Sequence, residues 1–275
     1  MVSLLGVFLL LFVAVGLSSN RAAIRLRTVL LAFGLQGGIG FVALWTDWGI
    51  AALAAASEYV AALLGYSRAG MEFMFGGLVG TSDSLGFIFA FNVLPVVIFF
   101  SSLIAVLYHA RVMQWMIRIL GGGLRKLLGT SHTESLSAAA NVFVGQAEAP
   151  LVVRPYIPSM TQSELFAVMV GGMASIAGSV MAGYVALGVP LEYLLAASFM
   201  AAPGGLLMAK LIEPEVDQPA KPAQGEKLAT EQYVNFIDAA ATGAMNGLQM
   251  AGAIGAMLLA FIALIAMFNG ILAAS

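Results

Sequence analysis

The chain has 275 residues, of which 61% are hydrophobic and 9% are charged. A soluble globular domain carries about a quarter charged residues, so this composition predicts a polytopic membrane protein. The net charge of −2 gives no reason to expect a nucleic-acid partner, and the lack of cysteine excludes disulfides and thiolate metal sites.

Residues 1–110 are predicted to form N-terminal scaffold helices. The first apolar run, over residues 2–17, is near the lower limit of about 17 residues for a membrane span. A signal peptide carries positive charge before its apolar run, whereas three arginines follow this one. We therefore predict a retained span that starts outside, followed by a second span over residues 29–45.

Two further helices are predicted in this scaffold, and a basic segment follows them. Residues 50–64 are apolar but include Glu58 and number only about fifteen, which favours a helix lying in the interface. A span is predicted over residues 85–108, with a bend at Pro95. Residues 111–130 carry three arginines and a lysine, and they are predicted to form an amphipathic interfacial helix on the cytoplasmic surface.

Residues 131–158, SHTESLSAAANVFVGQAEAPLVVRPYIP, form a polar, broken segment among long apolar ones. Its centre places Gln146 and Glu148 between a glycine and a proline. Polar and ionisable groups are costly at membrane depth, so their presence there indicates a functional site. Ser131 and Glu134 match a capping box at the start of the segment.

The basic residues predict how this segment lies in the membrane. With the N-terminus outside, nearly all arginines and lysines fall in the cytoplasm, and Arg68 is the clear exception. This holds only if residues 131–158 form a re-entrant hairpin, since a full crossing would move Lys221 and Lys227 outside. Irregular backbone persists at membrane depth only where it is buried or lines a wet cavity, so the tip near Gly145 is expected to face a cavity.

Residues 159–212 are predicted to form two long apolar helices, with apolar runs at 162–187 and 191–212. Thr161 and Glu164 match a second capping box at the start of the first run. Three glycines between 171 and 178 either allow close helix packing or mark a helix that is unwound near 175–178. A cytoplasmic linker over residues 213–233 leads into a long scaffold helix over 234–275.

The predicted fold is an all-α polytopic membrane protein with transmembrane helices, a re-entrant helical hairpin and a discontinuous helix. We expect a multi-pass protein of the cytoplasmic membrane, surrounded by lipid.

Two stretches carry a resemblance: GGGLRKLLGTSHTESLSAAANVFVGQAEAPLVVRPYIPSMTQSELFAVMVGGMASIAG and EYLLAASFMAAPGGLLMAKLIEPE. Together they closely resemble the concentrative nucleoside transporter family. The similarity covers about residues 75–215 in good order and both flanks more loosely. It is specific, because the G-Q-x-E-A-P-L tip, the serine-rich approach and the M-A-A-P-G-G run occur in the family's order.

The resemblance implies a secondary transporter that couples nucleoside uptake to a cation gradient, usually of sodium and in some members of protons. It also implies a homotrimer built from inverted repeats, of which this chain would contain the first, with residues 159–212 as transport-region helices. By position, Gln146 and Glu148 match hairpin residues that hydrogen-bond the nucleoside, and Val180 matches a residue of the base pocket. The matched sodium ligands are the side chains of Asn141 and Ser175 and the backbone carbonyls of Val144 and Ile176.

Two departures from the family pattern change what we expect. Ala147 stands where the family commonly has threonine or serine, so one hydroxyl contact is absent and substrate preference is expected to shift. The family's second hairpin and the helices after it are not found before Ser275. We therefore expect the chain as given to be an incomplete transporter.

Other interpretations stay open at this stage. Glu148 could be a structural acid paired with Arg154, and Asn141 could join packed helices. The alternative functions are a non-transporting scaffold or regulatory subunit and a proton-coupled nucleoside symporter. An intramembrane enzyme that uses Glu148 with His132 is disfavoured because no nucleophile stands beside an orienting base, so we expect no enzymatic activity.

Overall fold

The computed structural model describes residues 2–82, 86–145, 149–176, 178–186, 188–217 and 233–274. Its helices are α1 (Val2–Gly16), α2 (Leu26–Trp45), α3 (Asp47–Phe75), α4 (Phe89–Asn92), α5 (Leu94–His109), α6 (Val112–Leu128), α7 (His132–Ala140), α8 (Ala149–Val152), α9 (Gln162–Ala174), α10 (Gly178–Ala186), α11 (Leu191–Ile212) and α12 (Phe236–Ala274). Short 3-10 helices occur at Arg21–Ala23, Gly76–Leu78 and Arg154–Ser159. A two-residue antiparallel ladder pairs β1 (Thr81–Ser82) with β2 (Gly86–Phe87).

Within the described part of the chain, 5 helical stretches are long and apolar enough to cross a membrane. A membrane span needs about 20 apolar residues, and each stretch meets that length. The finding confirms the prediction of an all-α, multi-pass membrane protein. The stretches are Leu26–Trp45, Asp47–Leu78, Phe89–His109, Leu191–Ile212 and Phe236–Ala273.

The short helix predicted over residues 50–64 is wrong in length, because α3 runs without interruption through 29 residues. Its polar residues come at helical spacing and do not break the helix. Arg68 pairs with Glu72 one turn later, with 2.7 Å between Nε and Oε1. An apolar run reports hydropathy alone, whereas a helix continues as long as its backbone hydrogen bonds continue.

The bend predicted at Pro95 corresponds to an interruption two residues earlier. Helix α4 ends at Asn92 and α5 begins at Leu94, so Pro95 lies in the first turn of α5. Proline is tolerated there because the first amides of a helix have no carbonyl partner within it. The Asn92 side chain joins this interruption to the preceding loop, since its Oδ1 accepts a 2.6 Å hydrogen bond from the Gly80 amide.

The contacts divide the chain into two units, the first of which comprises residues 1–58, 111–181 and 190–232. Helix α11 packs against α1, α2, α7 and α9. Small residues permit this packing, because an added methyl group at Gly204 would lie 2.7 Å from Gln36 Nε2. Helix α6 buries Met113, Ile117 and Leu124 on one face and packs on α7, while its basic residues are exposed.

The second unit comprises residues 59–110, 182–189 and 233–275, and the packing of α12 along α5 dominates it. Close approach depends on glycine here too. An added methyl group at Gly243 would lie 2.6 Å from the carbonyl oxygen of Ser101, and one at Gly247 would lie 2.7 Å from Ile98 Cα. Helix α12 has 39 residues, about 58 Å at 1.5 Å per residue, which exceeds the thickness of a bilayer core.

Candidate functional site

The first unit contains two places where a helix is interrupted. The end of α7 is buried, whereas Met173 and Ala174 at the end of α9 are exposed. Helix α7 ends at Ala140, with Asn141 as its C-cap. The next amides fold back onto the end of the helix: those of Phe143 and Val144 both donate to the carbonyl of Ala140, at 3.0 Å. Helix α8 begins at Ala149.

The second interruption lies between α9 and α10. Helix α9 ends at Ala174, and Ser175 is extended, with φ −105° and ψ 157°. Helix α10 begins at Gly178. Of the two interpretations of the glycine-rich run, the structure therefore shows an unwound helix at 175–176.

Glycine contacts place these two interruptions against each other. A methyl group at Gly171 would lie 3.1 Å from Asn141 Nδ2, and one at Gly178 would lie 2.5 Å from the carbonyl oxygen of Phe143. Ser175 lies between these two glycines in the chain. The end of α7 therefore faces the unwound turn that carries Ser175.

Polar atoms are buried at this junction without protein partners. Asn141 is 1% exposed, and neither its Oδ1 nor its Nδ2 has a hydrogen-bond partner among the described residues. The same holds for the hydroxyl of Ser175 and for that of Ser137, one turn before Asn141. An unsatisfied buried polar group costs about 1–3 kcal/mol, so a ligand that satisfies several of them at once would be stabilised.

The donor set fits a sodium ion. Hard cations take several oxygen ligands, and the junction offers an amide oxygen, a hydroxyl and carbonyls freed by helix ends. Val144 is fully buried and Ile176 partly so. None of the four predicted ligands, Asn141, Val144, Ser175 and Ile176, has a side chain that titrates near neutral pH.

Only one of the three residues predicted to contact the nucleoside lies in the described part of the chain. Val180 lies in the first turn of α10 and is partly buried. Gln146, Ala147 and Glu148 lie outside the described residues, so their contacts, and the alternative pairing of Glu148 with Arg154, stay predictions. His132 stacks edge-on against Tyr156, with 6.4 Å between ring centroids.

Both predicted capping boxes are present in the structure. The hydroxyl of Ser131 accepts from the Glu134 amide, and the hydroxyl of Thr161 accepts from the Glu164 amide. The carboxylate of each glutamate also accepts a hydrogen bond from the amide of its own capping residue.

A buried ionic cluster at the starts of α7 and α9 was not predicted from the sequence. Lys210, in the last turn of α11, lies 2.6 Å from Glu134 Oε2 and donates a 2.8 Å hydrogen bond to the Ser163 hydroxyl. Two glutamates at helix starts and a lysine at the end of a span were the available signals. Nothing local in the sequence pairs them, because Glu134 and Lys210 are 76 residues apart.

The chain matches three family descriptions in order. Residues 5–78 match the N-terminus of the Na+ dependent nucleoside transporters, and residues 193–275 match the C-terminus. Residues 90–191, which include the junction of the two interrupted helices, match a family described as a gate for nucleoside recognition.

Curated relatives agree with these matches. An uncharacterized transporter of Haemophilus influenzae is 56% identical over 98% of this chain, and the nucleoside permease NupC of Helicobacter pylori is 46% identical over 97%. The human sodium/nucleoside cotransporter 1 is 39% identical over 99%. The chain spans 64% of the length of each of the two bacterial relatives and 41% of the human one.

A solved structure shows the same architecture. The structure of CNTnw in an inward-facing substrate-bound state superposes with a TM-score of 0.91 at 55% identity, over 98% of this chain and 64% of that one. Proteins this similar in sequence and backbone share a fold and a family.

Proposed function

The chain belongs to the concentrative nucleoside transporter family, and we propose that the protein containing it takes up nucleosides across the cytoplasmic membrane, coupled to sodium. One observation carries the sodium part of the proposal. The end of α7 faces the unwound turn between α9 and α10, and both contribute buried oxygens that have no partner among the described residues. A transporter fold of this family is not an enzyme, so the site binds and releases without changing its ligand.

We assign the cation to the Asn141 and Ser175 side chains, with the backbone carbonyls of Val144 and Ile176 completing its ligands. Bound sodium would join the end of α7 to the unwound turn. Because ligand binding stabilises the state that binds it, the ion would favour the arrangement in which the two helix interruptions are held together.

The nucleoside would bind next to this junction. We assign its polar contacts to Gln146 and Glu148, which the chain supplies directly after Val144 and Gly145, and its base contact to Val180. A few well-placed polar groups beside apolar walls are typical of small-molecule sites. Since the cation would order the segment leading to Gln146, nucleoside and sodium are expected to strengthen each other's binding by the same factor.

The surroundings of the protein follow from the same proposal. Large apolar side chains are exposed along α1 and α12, and we infer that lipid or further protein covers them. We place the N-terminus outside, from the distribution of arginine and lysine, and expect a homotrimer.

Uptake of labelled uridine or adenosine into proteoliposomes tests the proposal, with the full-length protein and a sodium gradient of either direction. We expect accumulation only with an inward sodium gradient. An inside-negative potential of 100 mV adds about 2.3 kcal/mol per translocated charge. Uptake that follows a proton gradient and ignores sodium would favour the proton-coupled alternative, and failure of any nucleoside to accumulate would contradict the proposal.

A non-transporting role makes a different prediction. A scaffold or regulatory subunit would alter the transport rate of a full-length relative with which it co-assembles, and it would bind no nucleoside itself. Equilibrium binding of labelled nucleoside to the purified full-length protein, with and without sodium, separates the two. Sodium-dependent binding supports transport.

A further inference from the structure

Lys210 is a buried lysine for which the proposed transport site has no use. Its residue is 7% exposed, near the end of a helix long and apolar enough to span the membrane. An isolated ammonium is costly to bury, so its partners must be unusually good. Its Nζ lies 2.6 Å from Glu134 Oε2, 2.8 Å from Ser163 Oγ and 3.4 Å from Glu215 Oε2.

These partners come from three separate elements of the first unit. Glu134 is in the first turn of α7, Ser163 is in the first turn of α9, and Glu215 follows the end of α11. Ser163 also donates its hydroxyl hydrogen to the carbonyl of Glu213, at 2.6 Å. Because Ser163 is occupied as a donor, its oxygen is free to accept from the ammonium of Lys210.

A second connection joins the same two helix starts directly. The hydroxyl of Thr133, in α7, donates a 2.6 Å hydrogen bond to Oε1 of Glu164, in α9. Glu164 and Glu134 each also cap their own helix. Each carboxylate therefore fixes both the start of its own helix and that helix's position relative to a neighbour.

Helices α7 and α9 run from this cluster to the candidate cation site. They have 9 and 13 residues, so they rise about 14 and 20 Å from the cluster to Asn141 and Ser175. Helices transmit an axial displacement with little loss, because their backbone hydrogen bonds make them stiff. A change in the relative height of the two starts would therefore separate the two ligands, and ligand sites tolerate only about 0.5 Å of such error.

We propose that Lys210 is a positioning residue for the cation site: by holding Glu134 of α7 and Ser163 of α9 together, it sets the sodium affinity at the far ends of these helices. This inference rests on the proposed function, since it assumes that Asn141 and Ser175 bind sodium. Loss of the lysine would also release Glu134. Burial raises the pKa of Glu134 while Lys210 lowers it, so without Lys210 this carboxyl is driven toward its neutral form.

The test measures the thermal unfolding midpoint of the full-length protein at increasing sodium chloride, with choline chloride holding ionic strength constant. The readout is the sodium concentration that gives half of the stabilisation. Lys210→Met should raise this concentration at least about fivefold, the lower end of typical couplings between sites. Lys126→Met is the matched control, because Lys126 is exposed on α6 and should leave the half-saturation concentration unchanged.

Two milder variants keep the test decisive if Lys210→Met does not fold. Lys210→Arg retains the charge with a different geometry, and Ser163→Ala removes only the hydroxyl between Lys210 and the Glu213 carbonyl. Both should also raise the sodium concentration for half-stabilisation, by a smaller factor than Lys210→Met does.

Two negative results have different meanings. Variants that lower the unfolding midpoint without sodium, yet keep the wild-type half-saturation concentration within twofold, would show a purely structural lysine and overturn the inference. A wild-type protein that sodium does not stabilise at all would instead refute the proposed sodium site, and the inference would be refuted with it.

Discussion

Helix α7 buries polar side chains, whereas helix α12 exposes apolar ones. Residues 133–140 of α7 are all buried, although they include Thr133, Glu134, Ser135 and Ser137. Residues 256–273 of α12 are all exposed, although most of them are large and apolar. A water-soluble fold would show the reverse arrangement.

This difference indicates where a functional site lies in a membrane protein, because only the buried polar side chains need a partner. Apolar side chains on α12 can face hydrocarbon at no cost, so their exposure needs no protein partner. Polar side chains on α7 cannot, so each must find a partner in the protein or a bound ligand. Glu134 and Thr133 find protein partners, whereas Asn141 and Ser137 do not find them among the described residues.

The largest effect is expected for Gly178→Ala, at the start of α10, which faces the segment that follows α7. The added methyl group would lie 2.5 Å from the Phe143 carbonyl oxygen, so it must push the two interrupted helices apart. We expect a loss of about 1–3 kcal/mol in folding free energy and loss of sodium-dependent stabilisation, measured by thermal unfolding with and without sodium.

Gly34→Ala is the control for that variant, because a methyl group there meets nothing within 4 Å. Its folding free energy should be no lower than that of wild type, because alanine is favoured over glycine inside a helix, and its response to sodium should be unchanged. A Gly178→Ala protein with normal stability and a normal response to sodium would contradict the close approach of the two interruptions.

Gly243→Ala applies a similar clash to the α5–α12 pair. The methyl group would lie 2.6 Å from both the Ser101 carbonyl oxygen and Ala105 Cβ. We expect a comparable loss of about 1–3 kcal/mol, but an unchanged sodium concentration for half-stabilisation. If Gly243→Ala weakened the response to sodium as strongly as Gly178→Ala, the assignment of the cation site to the α7–α9 junction would be wrong.

A smaller difference is expected for single hydrogen bonds in the two regions. Thr133→Val removes a bond to the Glu164 carboxylate, whereas Ser102→Ala removes a bond between a hydroxyl and the Ala240 carbonyl. Bonds to charged groups contribute about 1.5–3 kcal/mol and neutral ones about 0.5–1.5 kcal/mol. Denaturation of both variants should therefore show the larger loss for Thr133→Val, and the opposite order would argue against a tight α7–α9 connection.

The smallest effect concerns pH at the start of α7. Burial, and then the charges of Arg125 and Arg118, lower the pKa of His132 from its usual 6.5. The unfolded chain therefore binds more protons at this residue below about pH 6.5, and stability falls there as pH decreases. His132→Gln should remove this part of the pH dependence of the unfolding midpoint, while the control His109→Gln should retain it.

Local sequence patterns predicted much of this fold. The apolar run at 191–212 coincides with α11, and both capping boxes, at Ser131 and Thr161, are present. These features depend on residues within a few positions of each other. The predicted length of α3 is wrong because hydropathy does not report where backbone hydrogen bonding stops.

The site could be predicted only in part. Glycine content allowed two interpretations of residues 171–178, and the structure decides between them because α9 ends at Ala174 and Ser175 is extended. The ion pair of Lys210 with Glu134 was not predicted at all. Such pairings depend on how helices pack, and a single sequence records the residues without recording which distant residues meet.

Binding of radioactive sodium to the purified full-length protein tests the central claim most directly, by comparing wild type with Asn141→Leu. Leucine has a similar size and removes the two buried polar atoms that lack described partners, so the variant should fold at least as stably as wild type. We predict saturable binding to wild type and none to Asn141→Leu. Equal binding to a folded Asn141→Leu protein would contradict a sodium site at the junction of α7 with the unwound turn.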